Sequence, residues 1–146
     1  MSHRGTPIAG AGAAIAAAVL LGLPLRLTTA QHPAAVQVLR TPGQPPIYVI
    51  ALSRGRTLHM YLDPGRAGPN EVHGTFFDAQ GNGLDLARAP VVSAIGAGMR
   101  MALPALLEGP GHFYSDAEFA HGVWTLDIVA TTRAAEVLEA HLVVHF

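Results

Sequence analysis

The 146-residue sequence contains neither cysteine nor lysine. Without cysteine, the chain forms no disulfide and offers no thiolate for a zinc or redox site. The nine basic residues are all arginines scattered along the chain, and the formal net charge is −1. Nucleic-acid binding needs a concentrated basic face, so this charge pattern argues against that class of partner. Because no disulfide can form, the hydrophobic core must stabilise the fold.

Signatures of the common enzyme classes are missing as well. The sequence has no G-x-S-x-G, no H-E-x-x-H and no P-loop. Gly10-x-Gly12 lies inside an apolar run and follows no strand, so it does not form a dinucleotide-binding turn. The sequence therefore predicts a protein that is not an enzyme.

The N-terminus carries the one long apolar run, from Ile8 to Leu25. Its length suits both a secretory signal and a membrane anchor, because an h-region needs about 7 to 15 apolar residues and a spanning helix about 20. Pro24 and the small residues before Gln31 favour cleavage, whereas Arg26 argues against it; a buried core helix is the third interpretation. We predict a signal peptide or transmembrane anchor over 1–30. The rest of the chain is then exported, either secreted or anchored to the cell membrane, with the domain on the extracytoplasmic side.

Residues 31–46 hold four prolines and one glycine, a composition typical of a spacer. We therefore predict a Pro-rich linker over 31–46 and a folded domain over 47–146. Within that domain, short runs of alternating apolar residues end at turn signals, at the spacing of a sandwich or barrel. The predicted strands are Ile47–Ser53, Thr57–Leu62, Glu71–Phe77, Val91–Ile95, Met99–Leu103, His112–Ser115, Val123–Thr131 and Val137–Phe146.

Alternation assigns each strand an inward and an outward face. The predicted inward residues are Leu58, Met60, Leu62, Val72, Phe76, Trp124, Leu126, Ile128, Leu138, Leu142, Val144 and Phe146. This pattern predicts an all-β fold, an immunoglobulin-like β-sandwich of about seven to eight strands. The segment from Gly109 to Thr132 reads as a hairpin with a histidine at each corner.

Five motifs in this order resemble the YtkA-like domain: Leu58 to Pro64, Gly68 to His73, Phe77 to Gly81, Gly109 to Tyr114, and His121 to Leu126. The resemblance covers about Ala51 to Phe146. YtkA-like domains occur in exported or membrane-anchored bacterial proteins and at the C-terminus of copper-resistance proteins of the CopD and YcnJ kind. The resemblance implies an immunoglobulin-like sandwich, copper as the bound metal, and a copper-transport or respiratory-assembly membrane protein as partner. It implies no ligand set.

The candidate copper ligands come from the sequence itself, because copper outside the cytoplasm binds thioether and imidazole groups. Met99 and Met101 lie on one face of a predicted strand, about 6 to 7 Å apart. His112 and His121 flank the predicted hairpin, so we predict a metal site of Met99, Met101, His112 and His121 at one end of the sandwich. The alternative is that both methionines fill the core and both histidines only occupy turns.

The other histidines are predicted to be surface residues. In the usual immunoglobulin order, His59 and His73 lie in different sheets. His141 and His145 are too far apart, at about 13 Å, to share an ion, and Asp127 is expected to pair with one of them. Two functions remain open: an extracytoplasmic, membrane-associated accessory domain in copper handling or metal assembly, or a metal-free interaction module on the outer face of the membrane.

Overall fold

The computed structural model describes residues 34–146 of the chain. The predicted signal peptide or anchor, 1–30, and residues 31–33 of the predicted linker lie outside the described residues. Between 34 and 146, no helix is long and apolar enough to cross a membrane. This part of the chain forms ten strands: β1 (Val36–Leu39), β2 (Ile47–Ala51), β3 (Thr57–Asp63), β4 (Gly68–Phe77), β5 (Val91–Gly96), β6 (Met99–Leu103), β7 (Leu106–Gly109), β8 (His112–Phe119), β9 (Val123–Thr131) and β10 (Val137–His145).

All eight predicted strands are present, together with two that the sequence patterns did not predict. One is β7, which is short and pairs with β8 through an irregular register. The other is β1, which pairs with β2 over four residues. Because β1 lies inside the segment predicted as a linker, the folded sheet begins before Ile47 and the linker prediction is wrong for Val36–Leu39.

The strands form two antiparallel sheets. The six-stranded sheet has the order β1-β2-β3-β4-β8-β7, and the four-stranded sheet has the order β10-β9-β5-β6. Four consecutive strands thus form a meander, which the ABED and CFG sheets of an immunoglobulin constant domain do not contain. The all-β, two-sheet prediction is confirmed, while the order of strands differs from that immunoglobulin arrangement.

Two predictions about neighbouring strands are wrong for this reason. β3 and β4 are paired in one sheet, so His59 and His73 do not lie in different sheets. β8 belongs to the six-stranded sheet and β9 to the four-stranded sheet, so the segment from Gly109 to Thr132 is not a hairpin. The turn at residues 120–122 instead carries the chain from one sheet to the other.

One hydrophobic core lies between the sheets and receives side chains from both. The largest fully buried members are Trp124, Phe76, Phe113, Phe119, Ile50, Leu58, Met60, Leu86, Leu126, Ile128, Leu138 and Leu142. The predicted inward residues are confirmed as buried, except that Phe146 is only partly buried. Alternation therefore gave the correct buried face for β3, β4, β9 and β10, even though it did not give the order of the strands in the sheets.

An ion pair joins the ends of the two sheets. Arg56, directly before β3, donates to both carboxylate oxygens of Glu136, directly before β10, with Nη2–Oε1 at 2.8 Å. Arg56 is buried, and its Nε also donates to the carbonyl oxygen of Ser53 at 3.0 Å. The hydrogen bond from Arg56 lowers the pKa of the Glu136 carboxyl group. A bidentate pair of this kind fixes the relative position of two segments that are 80 residues apart.

Candidate functional site

Three histidines lie on the outer face of the central strands β3, β4 and β8. Residues that face each other across an antiparallel ladder lie on the same side of the sheet. His59 faces Thr75, which faces His112, and Tyr61 faces His73, which faces Tyr114. We call the surface formed by these six residues the histidine face. It exists because β4 lies between β3 and β8.

His73 is at the centre of the histidine face. Its ring stacks on Tyr61, with ring centroids 4.6 Å apart and planes 8° from parallel, and it lies 6.1 Å from the ring of Tyr114. Nε2 of His73 lies 3.1 Å from a carboxylate oxygen of Glu71. Nδ1 is buried and has no hydrogen-bond partner within the described part of the chain. When Nε2 carries the proton and donates to Glu71, the lone pair on Nδ1 is left unused.

His112 supplies the second imidazole. Its ring centroid is 5.9 Å from that of His73, with planes 20° from parallel. Nδ1 lies 2.9 Å from the hydroxyl oxygen of Thr75, and Nε2 lies 3.7 Å from a carboxylate oxygen of Glu108. His73 therefore has a carboxylate within hydrogen-bond distance of one ring nitrogen, as metal-binding histidines commonly do, whereas the contact between His112 and Glu108 is longer than a hydrogen bond.

His59 lies at the edge of the histidine face. Its ring lies 4.7 Å from that of Phe77, at an angle of 60°. Burial lowers the pKa of the His59 imidazole, because desolvation penalises the charged form. Burial therefore favours the neutral form of His59, which is the form that binds metal ions.

A row of carboxylates lies next to the histidine face. Asp63 faces Glu71, and Glu71 faces Asp116, so three acidic side chains lie side by side across three strands. Burial, followed by the nearby charges of Asp63 and Glu71, raises the pKa of the Tyr61 hydroxyl. The sheet surface thus carries three carboxylates at one end and imidazoles at its centre, and neighbouring negative charges attract cations.

The spacing of His73 and His112 suits a shared metal ion. Two imidazoles bound to one ion through bonds of about 2.0–2.1 Å place their ring centroids about 5 to 6.5 Å apart. The observed 5.9 Å lies in this range. Among residues 34–146, no three side chains of the histidine, cysteine, aspartate or glutamate type are already arranged around one metal position. The two ring planes are only 20° from parallel, and an imidazole binds a metal ion in its own ring plane, so a shared ion would require at least one of the two rings to turn.

The structure does not bring the predicted ligand set together. His112 begins β8, whereas His121 lies in the turn beyond its last residue, Phe119. β8 itself is roughly 23 Å long, at about 3.3 Å per residue, so the two histidines lie near opposite ends of the strand. Met99 and Met101 lie on β6, an edge strand of the other sheet, where Met99 is exposed and Met101 packs against the core. Of the four predicted residues, only His112 belongs to the histidine face.

Sequence reasoning missed His59 and His73 because it placed their strands in different sheets. A local signal was present, since His59-x-Tyr61 and His73-x-Thr75 both put polar or aromatic groups on the outward face. Two strands that each expose such a pair can combine them only if they are neighbours. The expected pairing of Asp127 with a C-terminal histidine is confirmed: Nδ1 of His141 lies 2.7 Å from Oδ1 of Asp127.

Comparison of the chain with protein-family models, with curated proteins and with solved structures finds no match. The resemblance to the YtkA-like domain therefore stays a prediction that rests on the five motifs.

Proposed function

We propose that this chain is a non-catalytic, extracytoplasmic accessory domain that handles copper, and that His73 and His112 bind the ion. Residues 1–30 hold it at the membrane or deliver it across, in line with the apolar run from Ile8 to Leu25. Its partner in this proposal is a copper-transport or respiratory-assembly membrane protein, as the YtkA-like resemblance implies. We also propose that the domain is immunoglobulin-like, in the sense that it consists of two β-sheets packed on each other.

One observation carries the proposal. His73 has a carboxylate on Nε2, a buried and unpartnered Nδ1, and a second imidazole at 5.9 Å. A buried ring nitrogen without a partner costs free energy, and a bound cation would remove that cost. Imidazole with carboxylate suits Cu(II), so the histidine face favours the oxidised ion over the Cu(I) that a methionine site would select.

The test is a titration of the purified chain with Cu(II), followed by calorimetry and by electron paramagnetic resonance. His3 and His32 are first replaced by glutamine, so that no chelate forms near the N-terminus. We expect one equivalent of Cu(II) with nitrogen hyperfine coupling, and at least a tenfold loss of affinity in His73→Gln and in His112→Gln. His141→Gln is the matched control, because His141 also contacts a carboxylate but lies on the other sheet.

The Met99→Leu and Met101→Leu double variant separates the two metal hypotheses. These changes conserve volume and should cost less than about 1.5 kcal/mol in stability. Cu(II) affinity should stay at the parent level in the double variant. Loss of copper binding in the methionine variant, with full retention in His73→Gln, would contradict the histidine face and favour a site on β6.

The second candidate is a metal-free interaction module, and one observation favours it. The outer face of the four-stranded sheet exposes six β-branched aliphatic side chains: Val91, Ile95, Val123, Val129, Val137 and Val143. Exposed apolar residues on one sheet face are typical of a protein contact surface. If the chain binds no copper above the level of a variant that lacks both His73 and His112, this function replaces the first.

A further inference from the structure

Strand β10 is an unusually long edge. It has nine residues, and β9 is its one strand neighbour among residues 34–146. The other three sheet edges are β1, β6 and β7, which have only four or five residues each. Short edge strands are one way in which proteins avoid pairing with other chains, and β10 does not use it.

Apart from the charge of Glu139, the other usual protective features are missing from β10 as well. Its sequence contains no proline, the whole chain contains no lysine, and its nine pairs with β9 follow one register without a bulge. The side chains alternate regularly between exposed and buried along the whole strand. An edge with this regular register can accept another strand.

The backbone groups available on this edge can be identified. Phe146 and Gly122 exchange two hydrogen bonds, so the even-numbered residues of β10 point their backbone groups toward β9. The odd-numbered residues point theirs away from β9, and these are Val137, Glu139, His141, Val143 and His145. Their side chains all lie on the outer face of the sheet.

Two charged or titratable side chains on the same edge have no ion-pair or hydrogen-bond partner among residues 34–146. His141 is engaged with Asp127 at 2.7 Å. The ion pairs of the described residues include neither Glu139 nor His145. Both side chains lie on the same face, six residues apart.

We propose that β10 pairs antiparallel with β10 of a second copy of this chain, about a two-fold axis at Leu142. In this register, Glu139 lies opposite His145 of the second copy, and the same contact forms again on the other side of the axis. His141 lies opposite Val143 of the second copy. All four of these positions have outward backbone groups, so the two copies form a continuous eight-stranded sheet with eight new backbone hydrogen bonds.

The pairing of Glu139 with His145 favours the axis at Leu142 over an axis at His141. A two-fold axis at His141 would place the two copies of His141 directly opposite each other and would leave Glu139 opposite Val143. Like groups directly opposite are unfavourable, whereas a carboxylate opposite an imidazole can accept a hydrogen bond from the ring across the ladder. The axis at Leu142 therefore pairs the two unpartnered groups, and the axis at His141 pairs neither.

Engineered disulfides test this register, because the chain has no cysteine of its own. In a Glu139→Cys and His145→Cys variant, the two positions of one subunit lie about 20 Å apart along the strand, too far for an internal disulfide. Across the interface they lie about 5.5 Å apart, inside the range that a disulfide spans. After mild oxidation of the full chain, we expect most of it to run as a dimer on a non-reducing gel.

The matched control is a Val137→Cys and Val143→Cys variant, with the same spacing on the same face of the same strand. In the proposed register, neither position lies opposite a cysteine of the second copy, and the two copies of position 143 are diagonal neighbours at about 7–8 Å. This variant should stay monomeric on the gel. Equal cross-linking of both variants would mean random collision and would overturn the proposal.

Two further results bear on the register and on the charges. Efficient cross-linking of a single His141→Cys variant, without cross-linking of the 139 and 145 pair, would place the axis at His141 and contradict our proposal. Glu139→Lys should weaken the dimer at least fivefold in analytical ultracentrifugation, and adding His145→Glu should restore it. If both variants sediment like the parent chain, the charge contact is absent and the proposal fails.

Discussion

At the scale of single residues, small side chains decide where the large ones lie. Gly96 of β5 faces Trp124 of β9, and a Cβ atom at position 96 would overlap the indole ring. The indole lies over this glycine and donates from Nε1 to the carbonyl oxygen of Ala120 at 2.9 Å. Trp124, the sole tryptophan, is 1% exposed. Its position depends on the hydrogen bond to Ala120 and on the space that Gly96 leaves for the indole ring.

We therefore predict that Gly96→Ala destabilises the fold. The added methyl group cannot fit without moving the indole, and overpacking of this kind costs about 1–3 kcal/mol. Urea unfolding followed by Trp124 fluorescence measures the change. Gly109→Ala is the matched control, because a Cβ atom there meets no atom within 4 Å, and we expect its effect to stay below about 0.5 kcal/mol. Equal effects at the two positions would show that the contact with Trp124 is unimportant.

At the scale of elements, a buried ion pair connects the two sheets. Arg56 and Glu136 lie where β3 and β10 begin, and their ion pair joins the two sheets at one end. The second arginine near Glu136 is Arg54, with Nη1–Oε1 at 3.3 Å, but Arg54 is largely exposed and adds little. The hydrogen bond from the buried Arg56 is therefore the main cause of the lowered pKa of Glu136.

This pair predicts a specific pH dependence of stability. The pKa of Glu136 is lower in the folded state than in the unfolded state, so its contribution is complete above the usual glutamate range and is lost as the pH falls through the folded-state pKa. Arg56→Met should lower the melting temperature at neutral pH, and the difference from the parent should shrink in acid. The difference is measured by thermal melts of the parent and of Arg56→Met from neutral pH down to acid pH. Glu118→Gln, which removes an exposed carboxylate, is the control. A difference that does not change with pH would contradict the ion pair.

The elements also show what the sequence could and could not predict. Alternation located eight strands and gave the buried faces of four of them, β3, β4, β9 and β10, because each strand contains its own pattern. Strand order depends on contacts between distant segments, which is why β3 and β4 were assigned to different sheets and His73 was excluded from the site. β1 was missed because its apolar residues stand among prolines, and β7 because it has only four residues. Only His112 of the candidate site was predicted.

At the scale of the whole molecule, one core serves both sheets. Ile50, Leu58 and Phe76 come from the six-stranded sheet, and Trp124, Leu126 and Leu142 come from the four-stranded sheet. Neither sheet can bury its inner face without the other, and the absence of cysteine means that no disulfide holds either sheet separately. The two sheets should therefore be stable only together.

We predict that the domain unfolds in a single cooperative step. Trp124 reports on the four-stranded sheet, whereas Tyr61, Tyr114 and Tyr48 all belong to the six-stranded sheet, so near-ultraviolet circular dichroism in the tyrosine region reports on the other half. The transitions measured by tryptophan fluorescence, by tyrosine dichroism and by far-ultraviolet dichroism should share one midpoint in urea, as a shared core requires. The pattern should persist in the weakened Gly96→Ala variant, with all three midpoints shifted equally. If the Trp124 signal is lost at a lower urea concentration than the tyrosine signal, the four-stranded sheet opens alone, and the core divides into two separately stable parts.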